Sequence, residues 1–269
     1  MLKRRKIGLF SVLFVLGLTL LLSGCSSSDD VAKGIEGEGN VAVKLANTEV
    51  ISKNLDNTGI DLTVLDKEGN IVDSVNVDSD QEVANLNLPA GTYSIEAIGY
   101  NTINFKDFNL KSKVASGETE NIVVKGQEDI STEIELESVI KENESEVTAQ
   151  SPASGLTYLQ VYALGSAQYG GYEYFYNDPN LLSTNHDHGG DPLYIITLEV
   201  GYGDNRIAKM NGSTLSSVHS EKYDPNGDNI IDGWYYWWDA TGYEHGKFTY
   251  ENTSTNYPWN TMSDWIYIK

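Results

Sequence analysis

The chain of 269 residues contains one cysteine, Cys25, and only six prolines. A lone thiol cannot close a disulfide within the chain, and Cys-rich zinc sites are excluded with it. Stability must therefore come from apolar cores or from a bound ion. Basic residues are scarce as well: 18 Lys and Arg stand against 39 Asp and Glu, a formal charge of -21. A surface of that sign repels nucleic acid and anionic lipid, which argues against nucleic acid as a partner. Signature motifs are also missing. There is no Gly-rich phosphate loop, no G-x-S-x-G elbow and no H-E-x-x-H, so no motif demands an enzyme. After the leader, no segment shows the apolar spacing of a helix.

Long hydrophobic runs are confined to the N-terminus. Lys3, Arg4, Arg5 and Lys6 precede an apolar stretch over residues 7–22, roughly 16 residues where a spanning helix needs about 20. Leu22-Ser23-Gly24-Cys25 closes it. This tetrad resembles the lipobox of bacterial lipoproteins, and the resemblance implies a signal peptide over 1–24, cleavage before Cys25, and acyl chains on its sulfur and new amino terminus. Two or more chains, at about 0.8 kcal/mol per buried methylene, anchor a protein stably on the extracytoplasmic face of a membrane. The other reading is an uncleaved membrane anchor with an incidental cysteine. Residues 25–40, rich in Ser, Asp, Glu and Gly, read as a flexible tether.

Residues 41–140 are a succession of short strand signals. Val41, Val43 and Leu45 alternate with other residues, as do Ile60, Leu62 and Val64, and Glu68-Gly69-Asn70 supplies a tight turn before Ile71, Val72, Val75 and Val77. Leu86 and Leu88 lead into Pro89-Ala90-Gly91, after which Tyr93, Ile95 and Ala97 alternate again. Phe105, Phe108 and Leu110 follow. Ile122, Val123 and Val124 close the run after Ser116-Gly117-Glu118. Strands at this spacing without intervening helices predict an antiparallel β-sandwich. The stretch over residues 88–95 resembles the turn-and-strand of carboxypeptidase-regulatory-like and prealbumin-like modules, which implies a spacer or binding module.

The acidic segment that follows runs into Gln150-Ser151-Pro152-Ala153-Ser154-Gly155, so residues 141–155 read as a linker. Residues 156–269 are richer in aromatics and glycine. Tyr158, Gln160 and Tyr162 alternate with Leu159, Val161 and Ala163, and residues 193–200 form a β-branched apolar run. Asn211-Gly212 favours a two-residue hairpin turn, and Phe248, Tyr250 and Trp265-Ile266-Tyr267-Ile268 give late strands. The predicted fold class is all-β: an N-terminal antiparallel β-sandwich followed by a second compact β domain.

Three constellations carry candidate chemistry. In Asp224-Pro-Asn226-Gly-Asp228-Asn-Ile230-Ile-Asp232, oxygens at the first, third, fifth and ninth places, with the Ile230 carbonyl at the seventh, can converge on calcium. Asn229 stands where Gly is usual and Tyr235 where a bidentate Glu is expected. The other reading is an acidic turn. If an ion binds, its expected role is structural. His186 and His188, at i and i+2, could begin a metal site or supply a general base for an envelope hydrolase, with His219 or His245 as a further ligand. Otherwise they belong to a polar loop.

The third is Trp234-Tyr235-Tyr236-Trp237-Trp238. Alternation puts Trp234, Tyr236 and Trp238 on one face and Tyr235 with Trp237 on the other. Either the strand is buried on both sides, or one face is a platform on which sugar rings stack. Trp259 and Trp265 could belong to either arrangement.

The segments over residues 162–166, 187–190, 198–203 and 252–262, with Asn211-Gly212, are similar to a YolA-like family of secreted Bacillus proteins. That resemblance implies export and a compact β domain, and it carries no functional residue across. The expectation is a lipid-anchored envelope protein that binds a glycan or envelope polymer, with a calcium-stiffened loop. A hydrolase and a structural surface component are the rival classes.

Overall fold

The computed structural model describes residues 37–52, 57–106, 108–139, 154–178 and 180–269. The leader, Cys25, the tether up to residue 36 and the linker up to residue 153 lie outside them. Strands dominate, as the alternation predicts. Among the described residues the one α-helix is a single turn, α1 (Glu49–Ser52).

The N-terminal strands are β1 (Glu38–Ala46), β2 (Thr58–Asp66), β3 (Ile71–Asp78), β4 (Val83–Pro89), β5 (Gly91–Phe105), β6 (Phe108–Val124), β7 (Asp129–Glu135) and β8 (Glu137–Ser138). They form two sheets, ordered β4-β1-β7 and β3-β2-β5-β6-β8. Because side chains alternate across a strand, Val41, Val43 and Leu45 of one sheet meet Ile60, Leu62, Val64, Ile95 and Ala97 of the other in one buried core. One expectation is corrected. The sandwich is not wholly antiparallel: β7 pairs parallel to β1. The chain leaves the first sheet after β4, builds β5 and β6 in the second, and re-enters beside β1 running in the same direction. Ser116-Gly117-Glu118 lies inside β6. A Cβ at Gly117 would meet the Glu135 carbonyl oxygen at 2.3 Å, so the glycine serves a close backbone approach.

At 15 and 17 residues, β5 and β6 are the longest strands, joined by a tight turn at Lys106 with φ 54. The end of this hairpin carries Ile103, Phe105, Phe108 and Leu110 onto the C-terminal strands.

Those strands are β9 (Tyr158–Ser166), β10 (Gly171–Tyr174), β11 (Leu193–Val200), β12 (Ile207–Met210), β13 (Ser213–Thr214), β14 (Ser217–Tyr223), β15 (Gly233–Asp239), β16 (Gly246–Thr253) and β17 (Thr261–Ile268). They make a five-stranded sheet, β10-β9-β11-β15-β14, and a four-stranded sheet, β13-β12-β16-β17. Asn211 (φ 50) and Gly212 (φ 83) turn β12 into β13, as their left-handed tolerance predicts. Leu159, Val161, Ile195, Trp238, Phe248, Tyr250, Ile266 and Ile268 fill the space between the two sheets.

The other face of the five-stranded sheet is covered by the β5–β6 hairpin. Phe108 and Leu110 pack there with Tyr162, Tyr194, Ile196, Tyr235 and Trp237. The Tyr162 hydroxyl accepts the Lys113 amide at 2.8 Å and donates to the Lys111 carbonyl at 2.9 Å, and Ser112 Oγ lies 2.9 Å from the Tyr235 hydroxyl. The described residues consequently form one compact body, with β11 and β15 enclosed between two layers.

Candidate functional site

The aromatic run occupies β15, paired with β11 on one side and β14 on the other. The expected parity holds, but both faces are covered. Tyr235 and Trp237 are sealed under the hairpin, where the Trp237 indole donates to the Tyr172 hydroxyl at 3.0 Å. Trp238, 4% exposed, lies in the inter-sheet core and donates to Thr197 Oγ1 at 2.9 Å. Tyr236 is half-buried, its ring 4.7 Å from the Arg206 guanidinium, and Trp234 is half-buried too. Trp234, Tyr236 and Trp238 therefore make no flat exposed platform. Of the two readings, burial on both sides is the one these residues follow, because a hairpin more than 100 residues upstream supplies the cover for one face and the four-stranded sheet covers the other.

The acidic loop between β14 and β15 folds on its own hydrogen bonds. The Asp224 carboxylate accepts the amides of Asp228 (3.2 Å) and Asn229 (3.0 Å), and Asp228 Oδ1 accepts the Ile230 amide at 2.6 Å. Asn226 Nδ2 donates to Asp228 Oδ2 at 3.1 Å. Asn229 takes the left-handed conformation, φ 67, at the place where glycine is usual. Asp232 differs: its Oδ2 is buried with no hydrogen-bond partner. Burial, then the charges of Asp228 and Asp224, push its carboxyl up to about 6. Among the described residues no three His, Cys, Asp or Glu side chains converge closely enough to hold a metal ion. The loop thus gathers charge without a preformed cage.

The histidine loop is better assembled than its sequence suggests. His188, 1% exposed, places Nε2 at 2.6 Å from Glu173 Oε2 and Nδ1 at 3.0 Å from Ser166 Oγ. His186 is exposed, with Nδ1 3.3 Å from the same Glu173 oxygen. Glu173 on β10 also accepts the amides of Asn185 and His186. Burial alone would raise the Glu173 carboxyl, but the His188 and backbone hydrogen bonds outweigh it and hold it below its ordinary value. Burial also lowers the His188 imidazole, against the pull of Glu173. The neutral ring then donates to Glu173 and accepts the Ser166 hydroxyl, while Ser166 Oγ accepts the Tyr169 amide at 3.0 Å. This relay has the order hydroxyl, imidazole, carboxylate that acyl-transfer enzymes use for nucleophile, base and orienting group. It is closed to substrate, since Ser166 is 0% exposed. His219 does not join it: it stacks on Phe105 at 4.5 Å.

An open surface with binding character lies on the outer face of the four-stranded sheet. Register places Lys209, Thr249 and Trp265 in one row and Ile207, Glu251 and Ser263 in the next. These six border a shallow trough of about 310 Å³. Trp265 is 37% exposed and Tyr267, two residues on along the same face, is 44% exposed. The Lys247 ammonium sits 3.9 Å from the Trp265 ring centre. At the hairpin end of the sheet, Tyr257 and Trp259 are more exposed still.

Residues 151–268 match a domain family of unknown function, DUF4879. No curated protein matches the chain. Among solved structures, a candidate adhesin from Bacteroides ovatus is 10% identical over 92% of this chain and 88% of its own, with a TM-score of 0.28. A candidate polysaccharide-binding protein from Bacteroides thetaiotaomicron is 11% identical over 84% and 78%, with a TM-score of 0.24. The fimbrial anchor protein of Porphyromonas gingivalis is 12% identical over 84% and 82%, with a TM-score of 0.26. Superpositions at these scores do not define a common fold.

Sequence reasoning missed Glu173 and Ser166, which carry no motif and meet His188 only through the pairing of β9 with β10. It left Trp265 open between core and surface. The alternation of exposed Trp265 and Tyr267 with buried Ile266 and Ile268 was the signal that resolves it.

Proposed function

We propose that this chain is a cell-envelope binding protein, held at the membrane through an acylated Cys25. In this reading the N-terminal sheets space the C-terminal sheets from the membrane, and the trough beside Trp265 takes a glycan or envelope polymer. The lipobox-like tetrad supports the anchor. The carrying observation for binding is the exposed Trp265 bordering a polar trough of Lys209, Thr249, Glu251 and Ser263. A sugar ring offers an apolar C–H face to an indole and hydroxyls to the charged and hydroxyl groups beside it. The open form suits a chain passing across the sheet. Affinity electrophoresis in gels containing soluble envelope polysaccharide tests it. Trp265→Ala is expected to weaken retardation about 10-fold or more, the scale of a lost aromatic anchor, while Trp259→Ala has a smaller effect. Equal mobility of wild type and Trp265→Ala in every retarding polymer would remove the trough as the site.

We further propose calcium on Asp224, Asn226, Asp228, the Ile230 carbonyl and Asp232, as a structural ion. The support is a carboxylate with an orphaned oxygen beside two others. With its pKa raised, Asp232 favours the fold when protonated. Its contribution is present below pH 4, falls as pH rises to about 6, and is adverse at neutral pH. Asp232→Asn is therefore expected to stabilise the calcium-free protein at pH 7.5 by about 1 kcal/mol after solvent screening, raising Tm by a few degrees. Calcium should raise the Tm of the wild type and leave that of the variant unmoved. Differential scanning calorimetry with and without chelator reads both, and an unresponsive wild type would end the calcium reading.

A further inference from the structure

A second cavity, of about 360 Å³, lies where the hairpin strand β6 meets the five-stranded sheet. It is separate from the trough, and its ligand is assigned independently of the glycan reading. Its walls are Tyr158, Tyr162, Tyr176 and Tyr223, with Gln160 and Lys113 among the polar lining. The volume is at the lower end for ligand pockets, room for one small ring compound. Two of its hydroxyls are committed: Tyr162 to the β6 backbone and Tyr158 to Gln160, whose amide in turn donates to the Phe175 carbonyl. The Tyr176 and Tyr223 hydroxyls have no hydrogen-bond partner among the described residues.

Lys113 is the feature that selects a ligand. Its ammonium lies 5.6 Å from the Tyr176 ring centre and, among the described residues, makes no salt bridge. Burial lowers its pKa, and Glu96 pulls the other way. Glu96, Glu118, Glu135 and Glu137 line the neighbouring cavity on the other side of Lys113, and none of them lines the tyrosine cavity. In a chain of charge -21, the one formal charge lining this cavity is positive. A half-buried cation that makes no salt bridge among the described residues gains most from an anion that also fills the apolar space beside it. The geometry points to a small-molecule site for a six-membered ring bearing one carboxylate, the ring held among the tyrosines and the carboxylate on Lys113 with hydroxyl support from Tyr176 and Tyr223.

Such a ring acid is either a uronic acid or an aromatic carboxylate, and the test separates the two. Ligand-observed NMR and calorimetric titration of the full-length chain would use glucuronate with glucose as its neutral control, and benzoate with benzyl alcohol as its control. At least one acid is expected to bind saturably, about 10-fold tighter than its neutral control. Binding of glucuronate alone identifies a sugar acid, and of benzoate alone an aromatic one. Lys113→Met should weaken that binding about 10-fold with little change in Tm, and Lys113→Arg should restore it. The proposal is overturned if neither acid saturates at millimolar concentration, if acid and neutral control bind alike, or if Lys113→Met binds as the wild type does. If Lys113→Met fails to fold, the folded Lys113→Arg variant and the acid-to-neutral ratio in the wild type decide.

Discussion

Glu199→Ala is expected to lower the unfolding free energy by about 3–5 kcal/mol, the loss typical of an orphaned partner in a buried pair. Glu199 is fully buried on β11 and accepts four hydrogen bonds. Arg206 donates twice to Oε1, at 2.9 and 2.6 Å, while the Tyr250 hydroxyl (2.9 Å) and Asn252 Nδ2 (2.6 Å) converge on Oε2. Alanine would leave a guanidinium, a hydroxyl and an amide without their acceptor between two packed sheets. Each keeps its desolvation cost and loses its compensation. Urea denaturation should show the loss as a lower midpoint at similar slope, and heating as a Tm lower by roughly 10 °C for a body of this size. The double variant Glu199→Leu, Arg206→Met removes both charges together and should recover much of the stability. If the single variant costs no more than an exposed ion pair, under about 1 kcal/mol, then the network contributes little to holding the sheets.

How much of this is legible in the sequence depends on how local the information is. Alternation fixed strand parity correctly: Trp234, Tyr236 and Trp238 do share a face, and Asn211-Gly212 makes the turn its chemistry prefers. Parity cannot say what covers a face. The cover over Tyr235 and Trp237 comes from Phe105 and Phe108, which read as ordinary strand residues because their partners lie far along the chain. The same distance hid the parallel pairing of β1 with β7, since no turn announces it. Glu173 was unreadable for a different reason. A single Glu on a short strand is normally a solvated side chain, and only the His188 ring and two loop amides make it a buried anion. Exposed aromatics, by contrast, were partly legible at β17, where Trp265 and Tyr267 alternate with the aliphatic Ile266 and Ile268.

His188→Ala tests whether the Ser166, His188 and Glu173 relay holds the fold or performs chemistry. As a lock, His188 links β9, β10 and the loop before β11, and its removal takes one hydrogen bond from the Glu173 carboxylate, which keeps the Asn185 and His186 amides, at a cost of about 1–3 kcal/mol. The pH dependence carries a second signature. The His188 imidazole titrates below its ordinary 6.5 in the fold, so the unfolded chain takes up the proton first and stability falls as pH drops below 6.5. Glu173, held below 4.5, contributes above that value and loses its contribution as pH falls further, so the two act in the same direction. Urea midpoints of the wild type should therefore fall from pH 8 to pH 5, and the His188→Ala midpoints should fall less steeply. A hydrolase would behave differently. Its serine would react with a fluorophosphonate in the folded state, and His188→Ala would abolish that reaction with modest loss of stability. With Ser166 enclosed and its oxygen already bonded to Tyr169 and His188, the folded chain should remain unlabelled. Stoichiometric labelling at Ser166 would show that the turn carrying Tyr169 or the loop carrying His186 opens, and would make the relay an active centre.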